Sequence, residues 1–270
     1  MRSLLVATTL VASTLASAIV ATPARAQQNE DNSFKWSGDI QSGHRLYAHN
    51  LNGSIKVEAG TGSKLDVTAR KHWRRGNPED VKIVVTQVGT NKGDVVVCAL
   101  WKGQNSCDED GYHGRKDSDN NWWGDKNDVS VEITIKVPAG VNIEASSVNG
   151  SVDVDGATAE VIAKSVNGQV SANSTGSVKA STVNGGLRVR TGAITSRTEF
   201  SSVNGSITLD IPADSNLDLE MKTVNGSLDS DFPLQVQGRI NPKSLRASIG
   251  KGGPTLKLST VNGSIRLRKA

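Results

Sequence analysis

At 270 residues, with 36% hydrophobic and only 4% aromatic side chains, the chain is long enough to bury a sizeable core, but that core has to be aliphatic. Lys and Arg number 31 against 27 Asp and Glu, a balance that argues against a dedicated nucleic-acid binder, which would need a concentrated basic face. The four histidines show no H-E-x-x-H or zinc-like spacing, and there is no G-x-S-x-G elbow and no phosphate loop closing in Lys-Ser or Lys-Thr, so no catalytic residue, metal ligand or cofactor site is assigned.

Residues 1 to 26 read as a secretory signal peptide, with Arg2 as the positive start, Leu4 to Val20 as the apolar stretch and Ala24-Arg25-Ala26 as the cleavage site. Thr8, Thr9, Ser13, Thr14 and Ser17 interrupt the apolar run, which speaks against a retained anchor. No Cys at the cleavage point indicates a lipid anchor, and nothing later resembles a membrane span. The mature part would begin near Gln27, in the periplasm or outside the cell. Thiols there are usually oxidised, so Cys98 and Cys107 are expected to pair, closing a short loop worth on the order of 2 to 3 kcal/mol.

Residues 27–138 form an N-terminal β region that includes the first repeat and the disulfide loop. Strand-like runs stand at Leu65 to Arg70, Val81 to Gln87, Asp94 to Trp101 and Asp128 to Val137, joined by turns at Gly60, Gly76-Asn77-Pro78 and Asn91-Lys92-Gly93. The region should begin and cover the repeats that follow, because an open repeat end exposes unpaired strand edges. Arg70-Lys71-His72-Trp73-Arg74-Arg75 is either a solvated strand end or a seat for an anionic glycan or lipid headgroup. The stretch from Trp101 to Asp128 concentrates unusual side chains. Tyr112, Trp122 and Trp123 beside Asp117 and Asp119 could stack on a sugar and bond its hydroxyls, or could fold back over the repeat end. Asp117, Asp119 and Asn121 mimic the opening of a Ca²⁺ loop, but Trp122 replaces the required Gly and the closing Glu is missing.

Residues 139–270 carry most of a seven-fold repeat whose first copy is Leu51-Asn52-Gly53-Ser54-Ile55. The others centre on Asn149, Asn167, Asn184, Asn204, Asn225 and Asn262, each preceded by Val and followed by Gly. Steps of roughly 17 to 21 residues up to Asn225, then one about twice as long, are the spacing of stacked supersecondary units. Three and five residues after each Asn the chain is apolar, broken only at Ser230, with polar residues between, the alternation of a half-buried strand. Six and four residues before it stand a second apolar pair, and two before it, in six copies, Ser or Thr. Asn-Gly is also the strongest hairpin signal, but a meander of hairpins would bare an apolar face, and no amphipathic helix is available to cover it. Coiling the strands into an all-β, two-faced β-solenoid needs no further layer. The repeated Asn side chains would then stack and bond along a column, largely buried, and Gly would supply a positive φ at the corner.

Stacked in chain order, one outward column reads Glu58, Asp155, Asn173, Arg190, Asp210, Asp231, Arg268, and another ends Glu199, Glu220, Lys257. Mixed signs suit solubility, and no set of acids converges as a lyase or hydrolase requires. The segment Phe232 to Gly253 breaks the period as an insertion or an atypical penultimate coil.

With its early N-G-S-I copy, Val137-Pro138 before the serial V-N-G-S-V copies and a closing Ile249-Gly250-Lys251-Gly252-Gly253 segment, the chain resembles a bacterial family of candidate adhesins with β-strand repeats, a domain of unknown function. The resemblance covers residues 34 to 268. It implies a right-handed β-helix-like fold and a role in adhesion or envelope-stress response, and supplies no catalytic residue. The expectation is a non-enzymatic, exported, adhesin-like protein presenting a binding surface at the cell envelope to a glycan, cell-wall polymer or envelope protein. The alternatives are an envelope-stress sensor whose ligand is a peptide or signalling protein, and a carbohydrate-active enzyme.

Overall fold

Each copy of the repeat folds as two strands joined by the Asn-Gly corner, and the two strands enter different sheets. The computed structural model describes residues 27–28, 32–89, 92–114, 127–236 and 241–270; the expected signal peptide lies outside them. Strands upstream of the corner, such as Asn142–Asn149, Val161–Asn167, Val178–Asn184 and Thr198–Asn204, lie parallel in one 11-stranded sheet. Downstream strands, such as Val152–Ala157, Val170–Ser174, Leu187–Arg190 and Ile207–Ile211, lie parallel in a second. Because the corner crosses from one sheet to the other, Asn-Gly here is a solenoid corner and not a hairpin turn. The apolar columns read from the sequence face each other between the sheets. Ile55, Val152, Val170, Leu187, Ile207 and Ile265 oppose Ala48, Ala145, Ala163, Ala180, Phe200, Met221 and Leu258, all buried. Small Ala beneath the early coils and Phe200, Met221 and Leu258 beneath the later ones keep one aliphatic core continuous along the stack.

The corner differs from expectation in two respects. Only Gly53 among the corner glycines has a positive φ, +119°. At Gly150, Gly168, Gly185, Gly205, Gly226 and Gly263 the requirement is space: a Cβ would sit 1.9 to 2.2 Å from the glycine carbonyl oxygen of the adjacent coil. The side-chain amides do form a ladder, Asn167 to Asn149, Asn184 to Asn167, Asn204 to Asn184, Asn262 to Asn204 and Asn225 to Asn262, at 2.7 to 2.9 Å. These Asn residues are exposed, not buried. The buried ladder is the one beside it. Ser147, Ser165, Thr182, Ser202, Thr260 and Thr223 each donate a hydroxyl to the glycine carbonyl of the adjacent coil at 2.8 to 2.9 Å. They leave those inward carbonyls satisfied, as a buried acceptor requires.

The coils do not stack in chain order. Ile265–Lys269 of the seventh copy lies between Ile207–Ile211 of the fifth and Leu228–Ser230 of the sixth, and Thr255–Ser259 likewise separates Thr198–Asn204 from Leu217–Lys222. The segment Phe232 to Gly253 makes this possible. Its strand Ser244–Ile249 runs antiparallel on Leu217–Lys222, with Gln235–Val236 outside it. The chain then turns back into the stack. Lys243 Nζ donates to the Gly226 carbonyl, the acceptor that a further coil would have taken. Reordering also separates the like charges that chain-order stacking would set together in the last coils. Arg268 stands beside Asp210 at 2.8 Å and separates it from Asp231, and Lys257 bonds Glu199 at 2.8 Å while lying beside Glu220.

At the other end the expected strands form as Lys64–His72, Val81–Val88, Asp94–Trp101 and Ser130–Val137. Two of them make an extra coil without Asn-Gly. Val95 and Val97 pair with Leu46 and Ala48, and Ile133 and Ile135 pair with Ile55 and Val57. Antiparallel strands Val81–Val88, Lys64–His72 and Ser33–Asp39 then close both sheets. The basic run 70–75 is a solvated strand end: Asp128 accepts backbone N–H groups of Arg74, Arg75 and Gly76, and His72 faces Glu132 at 3.2 Å.

Candidate binding surface

In the extra coil, a longer stretch after Trp101 replaces the Asn-Gly corner. It begins with a hairpin, Gln104–Asp108 paired to Gly111–Gly114, and the hairpin touches the strand Asp94–Trp101 beside it. Two ties hold it there. Cys98 and Cys107 form the expected disulfide, and the Tyr112 phenol lies 2.8 Å from the His49 carbonyl and 2.9 Å from that of Ala99. Burial pushes that phenol well above its ordinary range, so it stays a neutral donor shared by two strands. Val96, Cys98 and His49, on the outward face of the upstream sheet, are buried there. Near the hairpin's turn His113 pairs with Asp108 at 2.7 Å, a hydrogen bond that raises the imidazole and lowers the carboxyl.

Between the hairpin turn and the next coils lies a cleft of about 730 Å³ lined by Tyr47, His49, Glu109, Tyr112, Glu144, Ser146 and Lys164, among others. His49 is its centre. The ring is 5% exposed, 6.5 Å from Tyr47 in a stacked arrangement and 6.4 Å from Tyr112 edge-on. Its Nδ1 lies 2.6 Å from Ser146 Oγ, while Nε2 is buried without a hydrogen-bond partner. Burial lowers its pKa, and Lys164 adds to that; Glu144, Asp108 and the Glu109 backbone oppose it. The neutral ring therefore offers the cleft a donor at Nε2 if Ser146 donates to Nδ1, or an acceptor if Nδ1 carries the proton. Lys164 and Glu144 pair at 2.9 Å alongside.

A serine against a histidine suggests a nucleophile and its base, but that chemistry needs a group orienting the ring from its other nitrogen. Here no such group stands at that nitrogen. Among the described residues no three His, Cys, Asp or Glu side chains group as a metal would require, and no helix is long and apolar enough to cross a membrane.

Of the residues singled out in the sequence, Tyr112 lines this cleft, held as a clamp through its hydroxyl. Asp117, Asp119, Trp122 and Trp123 lie outside the described residues. Tyr47, His49, Glu144, Ser146 and Lys164 were missed. They sit three and five places before the repeated Asn, in outward columns that otherwise carry serines and charges apart from Ile162, and the rings of Tyr47 and His49 are what break that pattern at the first copy.

A second surface runs beside the Asn ladder. The Val before each Asn points outward, and Val166, Val183, Val203, Val261 and Val224 are 41, 40, 40, 40 and 54% exposed. They form a single line along the stack.

Two packed parallel sheets, tight laddered corners and a capped far end define a β-solenoid whose conspicuous features face outward. The chain belongs to the family described as Toastrack DUF4097, a domain of unknown function whose model matches residues 41–268. It is similar to a candidate cell adhesion protein from Clostridium sporogenes ATCC 15579 at 10% identity and a TM-score of 0.48, over 87% of this chain and 99% of that one. It is also similar to a candidate adhesin from Bacteroides fragilis NCTC 9343, at 11% identity and a TM-score of 0.35, over 88% and 97%. No curated protein matches the chain in sequence.

Proposed function

We propose that the protein is a non-enzymatic, exported β-solenoid that binds a component of the cell envelope through the cleft beneath the hairpin. The observation that carries this reading is the cleft itself, with Tyr47, Ser146 and the Glu144–Lys164 pair on one side and Glu109 and Tyr112 of the hairpin on the other. Such a lining would bond a ligand's hydroxyl, amide or carboxylate and stack on its apolar face. Export is supported by the leader-like sequence at residues 1 to 26 and by the disulfide, which persists in oxidising compartments. The partner is a glycan, a cell-wall polymer or an envelope protein, met in the periplasm or at the surface. Envelope fractions incubated with purified protein should retain it, and His49→Phe should lower retention by about tenfold with the unfolding midpoint held. Equal retention of wild type and variant would remove the cleft from the reading, and no retention of either would remove the reading itself.

A further inference from the structure

The exposed valine line lies on a part of the corner whose own columns carry no charge, and the Lys243 ammonium reaches it at the far end, on the Gly226 carbonyl. In the coils from Val148 to Val224, the Val, Asn and Gly columns and the column after them, Ser151, Gln169, Gly186, Ser206, Ser264 and Ser227, are all neutral. Charged residues stand on both sides of this strip, for example Lys179 and Glu199 on one and Arg188 and Asp229 on the other. Tight packing explains the glycines, and the amide ladder explains the asparagines. Neither explains the valines. A half-exposed strand position needs a β-former, and Thr would serve while staying hydrated. Val recurs in every one of these six coils, and contiguous exposed apolar surface marks a contact site.

We infer that this strip is a second binding site, and that its ligand is an extended, uncharged polysaccharide lying along the solenoid axis. Each coil repeats the same trio at about 4.8 Å: the methyls of one Val, and the amide N–H and the carbonyl lone pair that each Asn keeps free after giving one of each to the ladder. An extended chain of pyranose rings presents a matching series, an apolar C–H face and hydroxyls that donate and accept, at an interval close to that of the coils. Over five steps the strip runs about 24 Å, room for several rings. The lack of charge in these columns selects against an anionic polymer, for which Lys243 offers a counter-charge at one end and not along the strip. A peptide strand would need free backbone groups, but the strip lies in mid-sheet, where the backbone is already paired. A second copy is disfavoured because a line one residue wide falls short of the roughly 800 Å² per partner that a stable dimer needs.

The inference rests on the reading of the protein as a binder of the envelope, but on a different surface from the cleft. Its test is co-sedimentation of the purified protein with microcrystalline cellulose and with chitin, and with bead-bound polygalacturonate as an anionic comparator. Wild type should be retained on a neutral matrix, indifferently to salt, and more than on polygalacturonate. Val183→Lys with Val203→Lys should lower retention by about tenfold or more, while Arg188→Ser leaves it unchanged. Should the lysines lower the unfolding midpoint, Val183→Thr with Val203→Thr keeps the β-branched shape and should still cost several-fold. Absence of retention on both neutral matrices, or equal retention of the valine variants, overturns the inference. A wild-type dimer that the lysines dissolve, without retention on either matrix, overturns it in favour of a self-interface. Retention by envelope fractions but not by these matrices sinks this inference and leaves the proposed function standing; the opposite pattern does the reverse.

Discussion

In the coils of Asn149 to Asn262 the chain crosses between the sheets over an Asn-Gly pair, whereas in the extra coil the crossing from Asp94–Trp101 to Ser130–Val137 is longer and begins with the hairpin of 104–114. The short crossing works because glycine has no Cβ and because a hydroxyl from the adjacent coil takes up the glycine carbonyl. In the extra coil both conditions lapse. Asn50 and Asn52 of the first copy reach across instead, donating to the carbonyls of Val131 and Val129 at 2.7 and 2.8 Å. Longer side chains satisfy the neighbour without a tight corner, so the chain can leave the stack, and the hairpin and cleft are built from what leaves. The same position thus closes the stack in one part of the molecule and builds a cleft in the other.

The largest break in this comparison should come from Gly185→Ala. The added carbon would lie 2.0 Å from the Gly168 carbonyl oxygen, so neighbouring coils must part, at about 3 kcal/mol in chemical denaturation. Replacing Cys98 and Cys107 by Ser should cost about 2 kcal/mol. That loss should be confined to the hairpin, seen as faster amide exchange over 104–114 with the repeats unchanged. Thr182→Val leaves the Gly168 carbonyl without its donor and should cost about 1 to 2 kcal/mol. Equal losses from the two edits, serine for cysteine and valine for threonine, in the exchange of the repeats would show that the two kinds of corner are not independent.

A smaller effect follows from His49, whose pKa is held down by burial. The unfolded ring takes up a proton near about pH 6.5, while the folded ring resists until lower pH, so the undocked state binds more protons in that window and stability rises with pH. Hairpin docking should therefore be complete above about pH 6.5 and weaken as pH falls below it. Amide exchange of the hairpin at neutral and acid pH checks this, and His49→Gln should flatten the dependence. The smallest change is expected from Asn184→Ala. Its amide bonds two neighbours but is exposed, so water replaces them and the loss should stay near about 0.5 kcal/mol.

Much of the fold was legible because burial repeats with the Asn. The columns through Ile55 and Ala48 predicted both sheets and the core between them, and the disulfide followed from two cysteines behind a leader-like sequence. The order of the last two coils was not read, although a signal was present: chain-order stacking sets Asp210 on Asp231 and Glu199 on Glu220, and like charges directly opposite are unfavourable. Gly was misread because turn chemistry and close backbone approach select the same residue. The cleft was legible only through Tyr112. His49, Ser146 and Lys164 come from three coils and meet under a hairpin some sixty residues further along the chain from His49, a meeting that no local pattern encodes.

The insertion of the seventh copy between the fifth and the sixth has a consequence in time. A solenoid stacked in chain order can grow by adding each coil as it is made. Here the strands Leu217–Lys222 and Leu228–Ser230 exist before the neighbours they pair with, Thr255–Ser259 and Ile265–Lys269. The far end must therefore wait, and it closes only after the last-made copy slides into place. Pulse-labelled exchange during refolding should find 217–230 protected no earlier than 255–269. A stack that cannot finish until its final segment arrives has the timing of its folding built into its order of strands.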